Sequence, residues 1–295
     1  MSNRQHLVSL RMLILGLALV PTGLVLGGQP LYGQPSAHQP PIDIAQATVQ
    51  SERWLDIEEI RGEVIYHGAQ SRSAQIGDRL SQIGQGITTL DRSSAVLEVD
   101  STIGRIRVAA NTALEVDQLT VLQDGAKVTV LKITQGQVRI QARRFTNPNT
   151  RLEVHSPSGI AAVRGTDFGV SVTSDGNMAI ATETGLVEVS AQSQSVQVAP
   201  GQVSMIEMGE APTPSRLMDR QLGMDIQRQE FVGGRAVMKI KVDPANRIVC
   251  NGETWFPDRD GLLTARIPSH QSYLRMTVHN PLGETREHVV WVDND

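Results

Sequence analysis

The chain has 295 residues with 27 Lys+Arg, 31 Asp+Glu, a formal net charge of -4 and a single cysteine. One cysteine excludes an internal disulfide framework and any multi-cysteine zinc or iron–sulfur site. Mild acidity argues against nucleic acid as a partner, since such proteins carry clustered Lys and Arg.

The N-terminal sequence has the pattern of an export signal. Arg4, His6 and Arg11 precede the uncharged, largely apolar residues 12–28, as in a secretory signal peptide. We expect a signal peptide over residues 1–33, with an anchor through residues 12–28 or a buried helix as alternatives. A cleaved signal or an anchor places the rest in the periplasm or outside the cell, and the membrane is a partner only if the segment stays uncleaved. Residues 34–51 are rich in Pro, Gln, Ser and Ala, which predicts a flexible linker.

From Trp54 onward, apolar and polar residues alternate, which predicts an all-β fold of many short strands. One short unit recurs, in which apolar residues follow a glycine by two and four positions. Its glycines are Gly62, Gly104, Gly136 and Gly185. We expect each glycine to turn the chain at positive φ and the two apolar residues to line one face of a strand. The pattern fits a sandwich, a barrel or an irregular solenoid-like stack of strands.

Five segments between Gly62 and Gly201 carry a family resemblance. They are Ile76-Gly77-Asp78-Arg79-Leu80, residues 87–97 (ITTLDRSSAVL), Thr134-Gln135-Gly136-Gln137-Val138, residues 152–157 (LEVHSP) leading into Ala162-Val163-Arg164-Gly165-Thr166-Asp167-Phe168, and residues 184–189 (TGLVEV) with residues 198–201 (VAPG). Through them the sequence resembles the FecR domain of bacterial envelope proteins, and we place this domain at residues 52–208.

The resemblance implies an extracytoplasmic β-rich unit without known catalysis, used in signal transduction or envelope contacts. The resemblance also implies that signalling members of the family carry a cytoplasmic helix bundle, which holds a sigma factor. Residues 1–11 are too few for such a bundle, so we expect no direct contact with a cytoplasmic sigma factor.

The family motif Arg164, Gly165, Thr166, Asp167 and Phe168 is expected to be structural. In this interpretation Gly165 permits a bend, Phe168 enters the core, and Arg164 binds nearby carbonyls or Asp167. The alternative is a ligand or partner contact made by Arg164.

Residues 209–230 read as a linker with a short helix from Ser215 to Gln229. Aromatic residues concentrate beyond it, at Phe231, Trp255, Phe256, Tyr273 and Trp291. Six or seven short strands in residues 231–295 resemble a small immunoglobulin-like sandwich, in which we expect Trp255 and Trp291 to be buried.

No catalytic or metal-binding motif stands out, so we expect no enzyme activity, no catalytic residues, no cofactor and no metal site. Asp258-Arg259-Asp260-Gly261 reads as a hairpin turn rather than a calcium loop. Arg139, Arg143, Arg144 and Phe145 form a basic cluster, interpreted as a solvated strand end or as an anion contact. Cys250 reads as a buried apolar residue, and His270, His279 and His288 as surface or strand-end residues without zinc spacing.

The sequence therefore predicts a non-enzymatic exported envelope protein whose FecR-like domain is a binding or scaffolding module. Its partner would be an envelope protein or a cell-wall or polysaccharide ligand. The first alternative is an extracytoplasmic signal-sensing component that works with a separate membrane partner. The second is a glycan-binding protein, for which Trp255 and Trp291 would have to be exposed.

Overall fold

The computed structural model describes residues 53–100, 103–268 and 272–292. Within these ranges the chain forms twenty-four β-strands and no helix, which confirms the all-β prediction. All described residues lie in one unit, Ile44–Asp295. The predicted signal or anchor segment and the linker 34–51 lie outside the described residues.

The first seventeen strands belong to one hydrogen-bonded network. They are β1 (Leu55–Arg61), β2 (Val64–His67), β3 (Ser71–Ser73), β4 (Arg79–Leu80), β5 (Gly86–Thr89), β6 (Ser94–Val99), β7 (Gly104–Val108), β8 (Thr112–Val121), β9 (Lys127–Ala142), β10 (Arg151–His155), β11 (Ile160–Val163), β12 (Asp167–Val172), β13 (Met178–Thr184), β14 (Val187–Ala191), β15 (Gln194–Val198), β16 (Gln202–Ile206) and β17 (Arg216–Leu217).

The long strand β9 divides this network into two sheets. Its first part pairs with β8 and β10, and its second part pairs with β7 and β12. The first sheet has the order β3-β2-β5-β8-β9-β10-β11-β14-β15. The second has the order β4-β1-β6-β7-β9-β12-β13-β16-β17. The pairing of β9 with β10 is parallel.

Gly136 marks the point at which β9 passes from one sheet to the other. Its φ is 98°, a conformation that side chains with a Cβ rarely adopt. A Cβ at this position would also overlap the Cα and hydroxyl of Thr112. The bend at Gly136 therefore lets one strand serve two sheets.

The recurring glycine unit predicts the core correctly. All eight apolar residues that follow the four glycines are buried in one hydrophobic cluster: Val64, Tyr66, Ile106, Val108, Val138, Ile140, Val187 and Val189. Gly62, Gly136 and Gly185 have positive φ, as expected. For Gly104 the prediction is wrong, because it lies within β7 and has no positive φ. A Cβ on Gly104 would instead overlap the neighbouring carbonyl oxygen of Gln141.

The remaining seven strands form two smaller sheets. A three-stranded sheet has the order β18 (Asp225–Val232), β19 (Arg235–Lys241) and β22 (Leu262–Pro268). A four-stranded sheet has the order β21 (Glu253–Trp255), β20 (Arg247–Cys250), β23 (Tyr273–His279) and β24 (Thr285–Trp291). Both contribute to one buried cluster that includes Met238, Ala265 and Met276. The immunoglobulin-like assignment itself stays a prediction.

Turns and connecting segments of the C-terminal part pack on the outer face of the second sheet. There β12 and β13 carry small residues, among them Gly169, Ala179 and Ala181, all buried. Ala179, Ala181 and Val203 form a cluster with Met218, Ala245 and Leu282 from the chain that follows. Strands covered on both faces lose the apolar–polar alternation, and this explains the nearly continuous burial of β12 and β13.

The predicted helix from Ser215 to Gln229 is wrong. These residues instead contain β17, which pairs with β16, and the first part of β18. Leu222 has φ 52° and Asp219 accepts hydrogen bonds from the amides of Gln221 and Gly223, so a local turn replaces the helix. Met218 and Leu222 pack into different clusters, so their spacing does not define a helix face. The domain boundaries at 208 and 231 stay predictions.

Candidate binding groove

The family motif lies at the junction between β11 and β12. Gly165 has φ 104°, and a Cβ there would stand 2.5 Å from the Cα of Arg144. Phe168 is fully buried in the main core. Gly165 thus permits both the bend and the close approach of the segment after β9, and Phe168 fills space between the sheets.

Asp167 is bound by Arg139 and Gln141 rather than by Arg164. The guanidinium of Arg139 donates from Nε to Oδ1 (2.8 Å) and from a terminal nitrogen to Oδ2 (3.0 Å). The Gln141 amide also donates to Oδ2 at 3.0 Å. Asp167 is therefore not the partner of Arg164, and Arg164 makes no hydrogen bond to a carbonyl of the described residues either, so both expected bonds are wrong. Arg164 is exposed, and Thr166 buries a hydroxyl that has no partner among the described residues.

The Arg139–Asp167 pair is a charged anchor on the second sheet. Burial opposes ionisation of Asp167, but the hydrogen bonds from Arg139 and Gln141 outweigh it, so the pKa of Asp167 lies below its ordinary value. The bond to Asp167 raises the pKa of Arg139. Both groups are therefore charged at neutral pH, and a bidentate pair of this kind fixes the position of the guanidinium.

A groove with a volume of about 610 Å³ lies beside this anchor. Its floor is the outer face of β1, β6, β7 and β9, and the Leu282–Gly283 turn forms one wall. The lining residues are Glu59, Arg61, Ser94, Ala95, Val96, Arg107, Val108, Ala109, Gln137, Arg139, Gln141, Leu282 and Gly283.

Positive charge predominates in the groove. Arg61 and Arg107 are exposed, and neither forms an ion pair with a described residue. Arg107 donates to the side-chain oxygen of Gln141, Oε1, at 2.7 Å, which ties its guanidinium to β9. Glu59 is the single carboxylate among the lining residues. Arg107 is close enough to Asp167 to help lower the pKa of that carboxylate, but neither Arg61 nor Arg107 is in direct contact with a described carboxylate, so both guanidinium groups can bind an anionic group.

Gln137 connects the groove to the C-terminal strands. It is 3% exposed, and its amide nitrogen donates to the carbonyl oxygens of Asn280 (2.7 Å) and Pro281 (2.9 Å). Its carbonyl oxygen accepts from Arg247 at 2.9 Å. The sequence predicts Gln137 as an outward polar residue of an alternating strand, so this role has no local signal.

Arg247 and His279 lie at the same contact. Burial lowers the pKa of Arg247 to about 10, and Gln137 is its hydrogen-bond partner among the described residues, while its Nε has none. Burial and the positive charge of Arg247 lower the pKa of His279 to about 4. His279 is therefore neutral at pH 7.

The predicted basic cluster is divided by the end of β9. Arg139 lies in the groove, whereas Arg143 and Arg144 are exposed beyond the strand. Phe145 is partly buried against the main core. The groove therefore draws its other arginines, Arg61 and Arg107, from β1 and β7, strands distant in sequence from this cluster.

The other residues that the sequence analysis singled out do not line the groove. Asp258 accepts hydrogen bonds from the amides of Asp260 and Leu262, so residues 258–261 do form a turn. The predicted hairpin is wrong, because β21 pairs with β20 and β22 pairs with β19, in two different sheets. Cys250 is buried, and burial raises the pKa of its thiol to about 11. His288 bonds to the carbonyl oxygen of Leu222 at 2.8 Å. His270 lies outside the described residues.

One of the two tryptophans departs from the predicted burial. Trp255 is partly buried against the C-terminal cluster, but Trp291 is 69% exposed, so the prediction is wrong for Trp291. Trp291 meets the Tyr273 ring edge-on, with a centroid distance of 5.8 Å. It lies on the outer face of an edge strand, where alternation places it away from the core.

The described residues contain no group of three or more His, Cys, Asp or Glu side chains placed to hold a metal ion. In the same ranges, no helix has the length and apolar character needed to cross a bilayer.

The groove lies largely within a region that matches a known family. Residues 86–188 match the family described as FecR protein, which confirms the resemblance seen in the sequence. No curated protein matches the chain.

Two crystal structures of a candidate anti-sigma factor from Parabacteroides distasonis are similar to this chain. Each is 14% identical with a TM-score of 0.38, and they cover 48% and 50% of this chain. This chain in turn spans 66% and 68% of the solved chains, about two thirds of their length.

Proposed function

We propose, from the FecR domain at residues 86–188, that this chain is a non-enzymatic envelope component of signal sensing that works with a separate membrane partner. Its groove binds an anionic segment of that partner, and the C-terminal strands hold one wall of the groove. The protein acts outside the cytoplasm and needs no cofactor or metal.

The observation that carries this proposal is the groove itself. Arg61 and Arg107 present guanidinium groups without ion-pair partners among the described residues. Arg139 is held in place by Asp167. Charged grooves concentrate partners of opposite sign and increase the rate at which they associate. The groove is lined by residues of four neighbouring strands, β1, β6, β7 and β9, which suits an extended acidic peptide segment.

Export is supported by the N-terminal sequence, in which Arg4 and Arg11 precede the apolar residues 12–28. The absence of catalysis is supported by the lack of a G-x-S-x-G, H-E-x-x-H or phosphate-loop motif in the sequence. A fusion of alkaline phosphatase after residue 52 should be active in cells. Deletion of residues 12–28 should abolish that activity, and a fully active deletion would contradict export.

The groove is tested with a fluorescent decaglutamate peptide as the probe. The double variant Arg61→Glu and Arg107→Glu should weaken binding by about tenfold or more, since two attractive charges become repulsive. Binding to the wild-type chain should also weaken with salt, because exposed charges are screened. Fluorescence anisotropy at several salt concentrations measures both effects.

The matched control is the double variant Arg144→Glu and Arg266→Glu. These two arginines are exposed and lie outside the groove lining, so the net charge changes by the same amount. The control should retain most of the affinity. An equal loss in both double variants would show that the peptide responds only to net charge, and this would refute the groove as the binding site.

Glycan binding is the second candidate function, favoured by the exposure of Trp291. Exposed aromatic rings pack against the apolar faces of sugars, and Tyr273 holds the Trp291 ring from the side. In this case Trp291→Ala should abolish co-sedimentation of the chain with insoluble cell-wall polysaccharide. Retention in the pellet by the variant would exclude this face.

A further inference from the structure

The first sheet ends in an open edge at β15. This strand pairs with β14 over its whole length in regular register, and it pairs with no other described strand. Gln194, Ser195 and Gln197 are exposed, and Val196 is partly exposed. A free strand edge of this kind can add a further strand through backbone hydrogen bonds.

Alternate residues of β15 carry the unpaired backbone groups. Residues 192–193 join β14 to β15 and both have positive φ, as in a two-residue hairpin turn. The pair next to such a turn, here Ala191 and Gln194, exchanges hydrogen bonds, and every second pair after it does the same. The backbone N–H and C=O groups of Ser195 and Gln197 therefore point away from β14, and no described residue bonds to them.

The edge at β15 differs from every other sheet edge in the described part of the chain. Edge strands are commonly protected against further pairing by charged side chains, by short length or by a bulge. Strands β3, β4 and β17 are only two or three residues long. Each of the seven other edge strands contains a charged residue: Arg72 in β3, Arg79 in β4, Arg216 in β17, Arg228 in β18, Glu253 in β21, Arg266 in β22 and Glu287 in β24. Strand β15 has no charge, no proline and no bulge.

The free groups of β15 match those of a second copy of the same strand. In an antiparallel pairing centred on Val196, Ser195 lies opposite Gln197 of the second copy, and Gln197 lies opposite its Ser195. Each of these pairs exchanges hydrogen bonds in both directions, so every free backbone group of Ser195 and Gln197 finds a partner.

Other registers use fewer of these groups. A pairing centred on Ser195 places Gln197 opposite Ser193, which lies in the turn with φ 59°. A pairing centred on Gln197 needs the backbone of Ala199, whose N–H and C=O are already bonded to Gln202. The register centred on Val196 is therefore the favoured one.

The side chains also suit this register. Val196 lies on the inner face of the first sheet beside the buried Val189, but it stays partly exposed because the sheet ends there. In the second copy the same valine would lie directly opposite, with about 4.5 Å between the Cα atoms, so the two side chains would cover each other. Residues 189–206 contain no charge, so the pairing brings no like charges together.

We propose that β15 pairs with β15 of a second copy of this chain, which joins the first sheets of the two copies about a two-fold axis. The interface is closed, because the same strand serves both copies. The far edge of the sheet, at β3, is short and contains Arg72, so the sheet does not grow further. The contact is small, so the dimer exchanges with monomers. It lies on the first sheet, whereas the groove lies on the second, and it does not rest on the proposed function.

A cysteine at position 196 tests the register. The pairing places the two Val196→Cys residues about 4.5 Å apart at their Cα atoms, within the range in which a disulfide forms. Oxidation of the full chain with copper phenanthroline should convert most of this variant to a covalent dimer on a non-reducing gel. Cys250 is buried and should not cross-link the wild-type chain. The control Ser73→Cys is exposed on β3, at the other edge of the same sheet, and should stay monomeric.

Analytical ultracentrifugation of the full chain in mild detergent measures the dimer itself, and the detergent prevents association through the apolar residues 12–28. The double variant Ser195→Lys and Gln197→Lys should raise the Kd of the dimer by about tenfold or more, because each pair then places two lysines opposite each other. Both side chains are exposed, so the melting temperature should stay at the wild-type value. The control Ser73→Lys with Gln123→Lys adds the same charge at exposed positions outside β15 and should retain the wild-type Kd.

A dimer that the β15 lysines weaken, together with a cross-link at position 196, supports the proposal. It is overturned if the full chain stays monomeric at high micromolar concentration, which would leave the edge to a strand of a different protein. It is also overturned if both lysine double variants weaken the dimer equally, or if Val196→Cys and Ser73→Cys cross-link to the same extent. The groove variant Arg61→Glu with Arg107→Glu should dimerise normally, so failure of the groove is distinguishable from failure of this interface.

Discussion

At the scale of single residues, Gly136 is the position where the fold is least tolerant of a side chain. Its φ of 98° is unfavourable for any residue with a Cβ, and the added atom would overlap Thr112. We therefore expect Gly136→Ala to lower the free energy of unfolding by about 3 kcal/mol. Urea denaturation monitored by circular dichroism measures the change.

Gly125→Ala is the control for this prediction. Gly125 has φ 79°, close to that of Gly136, but an added Cβ would meet nothing within 4 Å. Only the backbone strain remains, so the expected loss is about 1 kcal/mol. If both variants lost equal stability, the contact with Thr112 would have no role in joining the two sheets.

Residues whose role is local can be predicted from the sequence. Asn251-Gly252 between alternating residues indicates a two-residue hairpin turn, and both residues do have positive φ. Gly104 and Gly169 must be glycine for a different reason. A Cβ at either position would overlap a backbone oxygen from a distant part of the chain, that of Gln141 or Pro281. No local pattern distinguishes such a glycine from one that only turns the chain.

At the scale of secondary-structure elements, β12 is constrained on both of its faces. One face packs in the main core through Phe168 and Val170. On the other, a Cβ on Gly169 would overlap the carbonyl oxygen of Pro281. Gly169→Ala should therefore separate the C-terminal strands from β12 and lower stability by about 2–4 kcal/mol. Limited proteolysis should also cut residues 209–224 faster.

Gly223→Ala is the reference for that experiment. It lies within the segment exposed to protease, and an added Cβ meets no atom within 4 Å. Its cleavage rate should match that of the wild-type chain. A Gly169→Ala variant with wild-type stability and cleavage would show that Pro281 does not contact β12 in solution.

Strands were easier to predict than residues 215–229, which join the seventeen-strand network to the two C-terminal sheets. Alternation of period two is a local property, and the strands that it predicts have buried inner faces. Residues 215–229 have no comparable local determinant. Their conformation depends on the Arg216–Asp243 pair and on Met218, which is buried against the second sheet. Tertiary contacts therefore override a weak helical spacing.

At the scale of the whole molecule, the candidate groove is assembled from distant parts of the sequence. Gln137 meets Arg247 across 110 positions and the carbonyl of Asn280 across 143 positions. The sequence identified the FecR domain and its motif, but these contacts exist only after the C-terminal part has packed on the second sheet. The wall at Leu282–Gly283 could not be predicted for the same reason.

The contact between Gln137 of β9 and Arg247 of the C-terminal part should weaken in acid, because His279 lies beside Arg247. Its pKa is about 4 in the folded protein, because burial and Arg247 disfavour the charged ring, against about 6.5 in an unfolded chain. Between these values the unfolded chain binds more protons, so stability falls as the pH decreases from 6.5 towards 4. Lowering the pH from 7.5 to 4.5 should therefore cost about 2–3 kcal/mol through this residue.

The measurement is urea unfolding of the wild-type chain and of His279→Gln at both pH values. Glutamine does not titrate, so the variant should lose less stability on acidification by about that amount. Asp167→Asn provides the contrast, because the lowered pKa of Asp167 makes its contribution disappear only below about pH 4. Equal losses between pH 7.5 and 4.5 in wild type and His279→Gln would mean that His279 is not held neutral at this contact. Acid would then act on the molecule through other groups.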